Sequence, residues 1–241
     1  MQEKKSSSVG IVIAILVTSL LIAGGVVAAA LIISANNNSG SEPTKTSKVD
    51  EPKKSEKDNP GILSTDHVRG KRDSKVLVIE YADPQCPGCA TMMPKMDALY
   101  EDYKDEVAFV YRHYPISGHI NAESAAIAIE AAGKQGYFWE MLSAMFENRS
   151  DWVYESGDDL TDAYVDIFKD VAGKKGDVSK FKNDLDDDEL KDKVKSDKNL
   201  GIDDEISATP TVFVNGEQVD FYTSSNPKKT IEEAIKEALE D

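Results

Sequence analysis

Residues 75–89 read Lys-Val-Leu-Val-Ile-Glu-Tyr-Ala-Asp-Pro-Gln-Cys-Pro-Gly-Cys. The apolar run over residues 75–81 predicts a strand that is covered on both faces. Residues 83–85 have turn character, and a helical stretch follows from Cys89 to about Tyr103. A second strand, predicted over residues 106–114, completes a β-α-β unit. Parallel pairing with a right-handed crossover is the default for such a unit.

The chain has only two cysteines, Cys86 and Cys89. A bridge at this spacing closes almost no loop, so it stabilises the fold little by restricting the unfolded chain. A structural zinc site needs four ligands, but there is no second cysteine pair, and His67, His113 and His119 show no ligand spacing. We therefore expect no metal and no cofactor, and we interpret Cys86 and Cys89 as reactive residues and not as structural ones.

The position of the pair, between a strand and a helix, indicates what this chemistry is. A helix N-terminus presents unpaired N–H groups and a positive dipole, which together stabilise a thiolate. We expect Cys86 to be the exposed nucleophile with a low pKa and Cys89 to be the resolving thiol, one turn further inward. One sulfur would attack a partner, and the other would release the mixed disulfide.

This segment resembles the active site of the thioredoxin superfamily, and more narrowly its DsbA-like branch. Glu80 lies six residues before Cys86, where these families carry a buried acid, and Pro94 lies five residues after Cys89, where thioredoxins kink the active-site helix. The resemblance extends in the expected order over about residues 75–240. Its further stretches are 112–115, 136–140 and 207–216.

The resemblance implies roles for residues around the pair. Glu80 would be buried, have a raised pKa and take the Cys89 proton; a glutamate at a strand end facing solvent is the alternative. Thr209-Pro210 would be a cis pair beside Cys86, with the Thr209 backbone pairing with a substrate strand; an ordinary trans turn proline is the alternative. The substrate-binding residues would be Thr209, Pro210, Pro87 and Gly88.

The rest of the chain predicts the architecture, which we interpret as an α/β thioredoxin fold with an inserted helical domain. Residues 61–241 would form this DsbA-type domain, with the insert at about residues 119–205 dividing it into βαβ and ββα halves. Asn215-Gly216 is a strong hairpin signal between strands at 211–214 and 218–222. A last helix is predicted over about residues 227–239, capped by Ser225 or Asn226.

The N-terminal region predicts a membrane anchor. Residues 9–35 contain no charge and are long enough to cross a bilayer as a helix, whereas the apolar core of a cleaved signal peptide, the alternative, is shorter. Lys4 and Lys5 place residues 1–8 in the cytoplasm and the domain outside the cell membrane. Residues 36–60 are polar and predict a flexible tether.

Charge excludes one class of partner. The formal net charge is −16, and residues 61–241 carry 21 Lys and Arg against 38 Asp and Glu. A domain this acidic repels phosphate backbones, so we expect no nucleic-acid partner.

The expected function is that of an extracytoplasmic thiol–disulfide oxidoreductase. The leading hypothesis is a monomeric dithiol oxidase that acts on reduced exported proteins. A quinone-coupled membrane partner, resembling DsbB or the vitamin-K-epoxide-reductase-like proteins, would reoxidise it. Pro87-Gly88 departs from the Pro-His of typical DsbA, so a reductase or isomerase stays an alternative. A non-catalytic scaffold that uses the acidic helical insert is the alternative from another class.

Overall fold

The computed structural model describes residues 59–219 and 229–241. The predicted cytoplasmic segment 1–8, the membrane span 9–35 and nearly all of the tether at 36–60 lie outside these residues. Within the two described ranges, no helix is both long enough and apolar enough to cross a membrane.

A five-stranded mixed sheet forms the centre of the fold, with strand order β1-β3-β2-β4-β5. Only β2 and β3 are parallel, in register from Val76 opposite Val107 to Ala82 opposite His113, and this confirms the predicted β-α-β unit. The other three pairs are antiparallel. The strands are β1 (His67–Gly70), β2 (Val76–Ala82), β3 (Val107–His113), β4 (Thr211–Val214) and β5 (Glu217–Val219).

The edge strand β1 was not predicted from the sequence. It is four residues long, reads His-Val-Arg-Gly and is only partly buried. It therefore has neither the length nor the apolar run by which β2 was recognised. Its structure depends on antiparallel pairing with β3, whose paired residues lie more than thirty positions later in the chain.

Helices cover both faces of the sheet and make up the insert. Helix α1 (Pro87–Tyr103) begins two residues earlier than predicted, with a proline in its first turn, and contains Pro94. Two short 3-10 helices, at Arg149–Asp151 and Gly173–Lys175, interrupt the insert. The helices of the insert are α2 (Ala122–Gly133), α3 (Phe138–Glu147), α4 (Gly157–Ala172), α5 (Val178–Asp184) and α6 (Asp188–Asp203).

The last helix, α7 (Ile231–Glu240), begins later than predicted. Its cap is Thr230, whose hydroxyl accepts the Glu233 N–H while the Glu233 carboxylate accepts the Thr230 N–H. This capping box satisfies two backbone donors at once, so the predicted cap at Ser225 or Asn226 is wrong. Residues 220–228, which include the end of the predicted second hairpin strand, lie outside the described part of the chain.

Two of the hydrophobic clusters in the described chain include residues of α1. One packs α1 and α7 against the sheet, through Val76, Val78 and Ile235 among others. The other fills the insert and includes Cys86 and Cys89 themselves. The active-site end of α1 is therefore packed into the insert, and the other end of the helix is packed against the sheet.

Candidate active site

Cys86 is the N-cap residue of α1, and Cys89 lies in the first turn. The inward order of the two thiols is as predicted, because Cys89 is fully buried and Cys86 is the outer residue. The prediction of an exposed nucleophile is wrong, because Cys86 is only 8% exposed. The neighbouring loop at Thr209 accounts for this cover.

The Thr209-Pro210 peptide bond is cis, as predicted. The carbonyl oxygen of Thr209 lies 3.4 Å from Sγ of Cys86. A β-carbon added at Gly88 would lie 3.3 Å from Cδ of Pro210 and 3.5 Å from Sγ of Cys86. Gly88 therefore lets α1 begin against this loop without a side chain between them. The structure brings together Cys86, Gly88, Thr209 and Pro210, as expected.

The surroundings of Cys86 stabilise its thiolate. The thiol of Cys89 donates to Cys86 and is the group that lowers the Cys86 pKa most. Partial burial of Cys86 opposes this effect. Thr209 and the N–H groups of Cys89 and Gly88 lower the pKa further, and the result is a Cys86 pKa of about 5. The two backbone donors are the unpaired N–H groups of the first helical turn. At neutral pH Cys86 is therefore a thiolate and Cys89 a thiol.

The pH dependence of Cys86 alkylation tests this environment. The rate with a small alkylating agent should rise to a plateau with a midpoint near pH 5, because only the thiolate reacts. Cys89→Ala removes the largest stabilising donor, so its midpoint should shift upward toward the ordinary thiol value of about 8.5. A midpoint near that ordinary value in the unmodified protein would contradict the description.

Beneath the pair lies Glu80, which is 5% exposed on β2. Burial raises its pKa to about 7, an effect that Arg69 opposes and Asp97 reinforces. The pKa of Cys89 is also raised, chiefly by burial and then by its bond to Cys86, with a contribution from the charge of Glu80. The expected buried acid is therefore present, and it is close enough to Cys89 for the two ionisations to be coupled.

Asp83 holds the loop before the cysteines and was not predicted as a site residue. Its buried carboxylate accepts the N–H of Gln85 at 2.7 Å, the N–H of Ile116 at 2.8 Å and Nδ1 of His119 at 2.7 Å. Its own N–H donates to Sγ of Cys89 at 3.5 Å. Asp83 thus joins the active-site loop to the segment after β3.

Gln85 ties the same loop to the insert. Its side chain accepts the Asn121 N–H at 2.7 Å and donates to the Val153 carbonyl at 3.2 Å. Its carbonyl accepts Nε and Nη2 of Arg149, at 2.9 and 2.5 Å. Residues 83–85 are recognisable from the sequence as a turn, but the sequence gives no signal that Arg149 and Asn121 hold it.

A second buried polar cluster lies behind β3 and was also missed. Ligand-type atoms of His113, Glu130 and Asp197 lie within 4.8 Å of one another. The ammonium of Lys193 lies 2.5 Å from Asp197 and 3.7 Å from Glu130, and His67 lies 2.7 Å from Glu130. The sequence separates these residues widely, so spacing could not reveal the cluster. Lys193 offsets part of the negative charge of the two carboxylates there.

The thioredoxin family model matches residues 63–237. The chain therefore belongs to the thioredoxin family, and its cysteine pair is that of a thiol–disulfide oxidoreductase. The match includes every residue that the geometry places around the cysteine pair.

Solved structures share this fold. BdbD from Bacillus subtilis, in its oxidised form, is 26% identical, covers 73% of this chain and 94% of its own, and superposes with a TM-score of 0.60. The α-DsbA1 protein of Wolbachia pipientis is 23% identical, with coverages of 74% and 93% and a TM-score of 0.56.

Curated relatives match over a segment only. The Na(+)/H(+) antiporter NhaA 1 of Mycolicibacterium vanbaalenii is 32% identical over 161 residues, which are 63% of this chain and 23% of the antiporter. NhaA 3 of Salinispora tropica is 36% identical over 152 residues, with coverages of 63% and 22%. The chain thus spans less than a quarter of these relatives, and the similarity carries no statement about ion transport.

Proposed function

We propose that this chain is a dithiol oxidase that transfers the Cys86–Cys89 disulfide to cysteine pairs of exported proteins. The observation that carries the proposal is the site at the start of α1, where the Cys89 thiol and two backbone N–H groups stabilise the Cys86 thiolate. A pair whose reduced form is stabilised is an oxidant when it carries a disulfide. The Cys86 pKa of about 5 lies between about 3.5 for DsbA and about 7 for thioredoxin.

The chemistry of the transfer uses the two thiols in turn. A substrate thiolate attacks Sγ of Cys86, the Cys86–Cys89 bond breaks, and Cys89 leaves and takes up a proton, which protonated Glu80 is placed to supply. A second substrate thiolate then attacks the mixed disulfide and releases Cys86. The substrate loses two electrons and two protons, and the enzyme pair gains the electrons, leaving Cys86 as a thiolate and Cys89 as a thiol. One proton is thus kept on Cys89 and the other goes to solvent.

The loop at Thr209 is the proposed contact for the substrate backbone. Thr209 and Pro210 are only partly buried, and the carbonyl of Thr209 lies beside Sγ of Cys86, the sulfur that the substrate attacks. An extended segment that adds to this edge would gain backbone hydrogen bonds whatever its side chains are. Exposed Pro87 and partly buried Gly88 complete this surface.

The proposed location is the outer face of the cell membrane. The uncharged run at residues 9–35 supports an anchor, and residues 36–60 support a tether that lets the domain reach its substrates. A monomer in this position meets newly exported chains. A quinone-coupled membrane protein would accept its electrons and restore the disulfide.

A measured reduction potential tests the direction of electron flow. Equilibration with glutathione buffers, followed by alkylation of the free thiols, should give a value above about −200 mV, closer to DsbA at about −120 mV than to thioredoxin at about −270 mV. A value near that of thioredoxin would reject the oxidase and favour the reductase that Pro87-Gly88 leaves open. Cys89→Ala, which lacks the pair, serves as the blank.

A further inference from the structure

Exposed apolar side chains are concentrated beside the cysteine pair. Among the described residues, the large hydrophobic side chains that are exposed are Ile120 at 82%, Tyr154 at 87% and Ile202 at 55%. Ile120 lies just before α2, and Tyr154 lies in the loop before α4. Single exposed apolar side chains are ordinary, so what matters is whether these two share one surface.

The hydrogen bonds of Asn121 bring Ile120 and Tyr154 together. The side-chain amide of Asn121, the residue after Ile120, donates to the carbonyls on either side of Tyr154, those of Val153 at 3.2 Å and Glu155 at 3.0 Å. Gln85 binds both loops at once, as described above. Since Gln85 directly precedes Cys86, both apolar side chains lie next to the active-site loop.

Acidic residues border this apolar pair. Glu123, Asp151 and Glu155 are exposed, and none forms an ion pair with a lysine or arginine of the described chain. The cations nearby have other partners: Arg149 donates to the Gln85 carbonyl, and His119 binds the Asp83 carboxylate. The border is therefore negative and lacks a counter-charge of its own.

We propose that these five residues, here called the insert patch (Ile120, Glu123, Asp151, Tyr154 and Glu155), select the substrate polypeptide. The patch would bind segments that carry an apolar and a basic side chain close to the reacting cysteine. This inference rests on the proposed function, because the occupant is the chain that is joined to Cys86 in the mixed disulfide.

Two features of the molecule identify this occupant. A polypeptide joined to Sγ of Cys86 must continue over the surface next to the active-site loop, and the insert patch is continuous with that loop through Gln85 and Asn121. The patch then offers apolar contact at its centre and negative charge at its edge. Complementary charge gives specificity and speeds encounter, so lysine or arginine near the cysteine is favoured and aspartate or glutamate is disfavoured.

The test uses the oxidised full-length chain and three dithiol peptides that differ only beside the first cysteine. The flanking residues are Leu and Lys in one peptide, Leu and Glu in the second, and Gly and Ser in the third. The second-order rate of oxidation should be about tenfold higher for the Lys peptide than for the Glu peptide at low salt. The difference should shrink as the salt concentration rises, because exposed charges are screened.

Two double variants separate the contributions. Ile120→Ser with Tyr154→Ser should slow both leucine-containing peptides about fivefold and leave the Gly/Ser peptide unchanged. Glu123→Gln with Glu155→Gln should remove the preference for Lys over Glu. The matched controls are Ile202→Ser, and Glu217→Gln with Glu240→Gln, which lose the same kinds of group away from the patch and should behave like the parent chain.

Oxidation of dithiothreitol distinguishes failure of this inference from failure of the proposed function. Dithiothreitol is too small to reach the insert patch, so every variant should oxidise it at the parent rate, which also reports an intact fold. Equal rates for the three peptides, or patch variants that match their controls, would overturn the inference and leave the oxidase standing. An oxidised chain that reacts with neither dithiothreitol nor peptides would overturn the proposed function itself.

Discussion

Replacement of Cys86 with serine is expected to abolish thiol–disulfide exchange, with a fall in rate of about a thousandfold or more. Serine cannot form the disulfide, and its hydroxyl stays protonated in surroundings that stabilise a thiolate. The measurement is oxidation of a dithiol peptide by the purified full-length chain. The fold should persist, because the replacement is nearly isosteric and Cys86 is the outer residue of the pair.

Cys89→Ser is the matched variant and should give a different result. It keeps the sulfur that forms the mixed disulfide and removes the thiol that can break it by re-forming the Cys86–Cys89 bond, so mixed disulfides should accumulate. Mass spectrometry of the species trapped in cells would then identify the clients. If Cys86→Ser keeps full activity in cells and Cys89→Ser traps nothing, the enzymatic interpretation fails and the scaffold alternative gains support.

Glu80→Gln is expected to remove a large pH dependence of stability. The folded pKa of Glu80, about 7, lies above the ordinary glutamate value of 4.5, so the folded state binds more protons than the unfolded state between these values. The free energy of unfolding therefore falls as the pH rises through this window, and the loss is complete above it. For one fully buried group it amounts to about 3 kcal/mol.

Urea unfolding of the reduced protein measures this effect at about pH 5 and about pH 8. The drop in unfolding free energy between the two conditions should be about 3 kcal/mol smaller in Glu80→Gln than in the parent chain. Glu217→Gln, which changes an exposed glutamate of β5, should keep the parental drop. An unchanged drop in Glu80→Gln would show that Glu80 ionises normally, and its assignment as the proton donor to Cys89 would be lost.

The parts of the site that could be predicted are those that are local in sequence. The apolar run of β2 indicates that this strand is buried, and the cysteine spacing corresponds to one turn of helix. Because Glu80 lies on the same buried strand, its pKa is expected to be raised. The hairpin turn was also predictable, because Asn-Gly is the dipeptide that such turns favour. In the structure Asn215 and Gly216 both have the positive φ that the turn needs. These features depend on neighbours that the sequence shows directly.

The parts that could not be predicted depend on contacts distant in sequence. Arg149 donates to a carbonyl 64 positions away, and no periodicity indicates such a bond. Cys86 is covered by a loop 123 positions away, so its low exposure could not be inferred from the strand-to-helix junction alone. The cap at Thr230 does have a local signature, a threonine followed three residues later by glutamate.

The bonds that hold Gln85 also impose an order of assembly on the chain during synthesis. The two cysteines leave the ribosome well before Arg149 and Val153, which lie 64 and 68 positions beyond Gln85. Contacts of such long separation close late, because the loop-closure entropy must be offset by the rest of the fold. A partly made chain therefore contains the cysteine pair before it can form the contacts that anchor the cysteine loop to the insert.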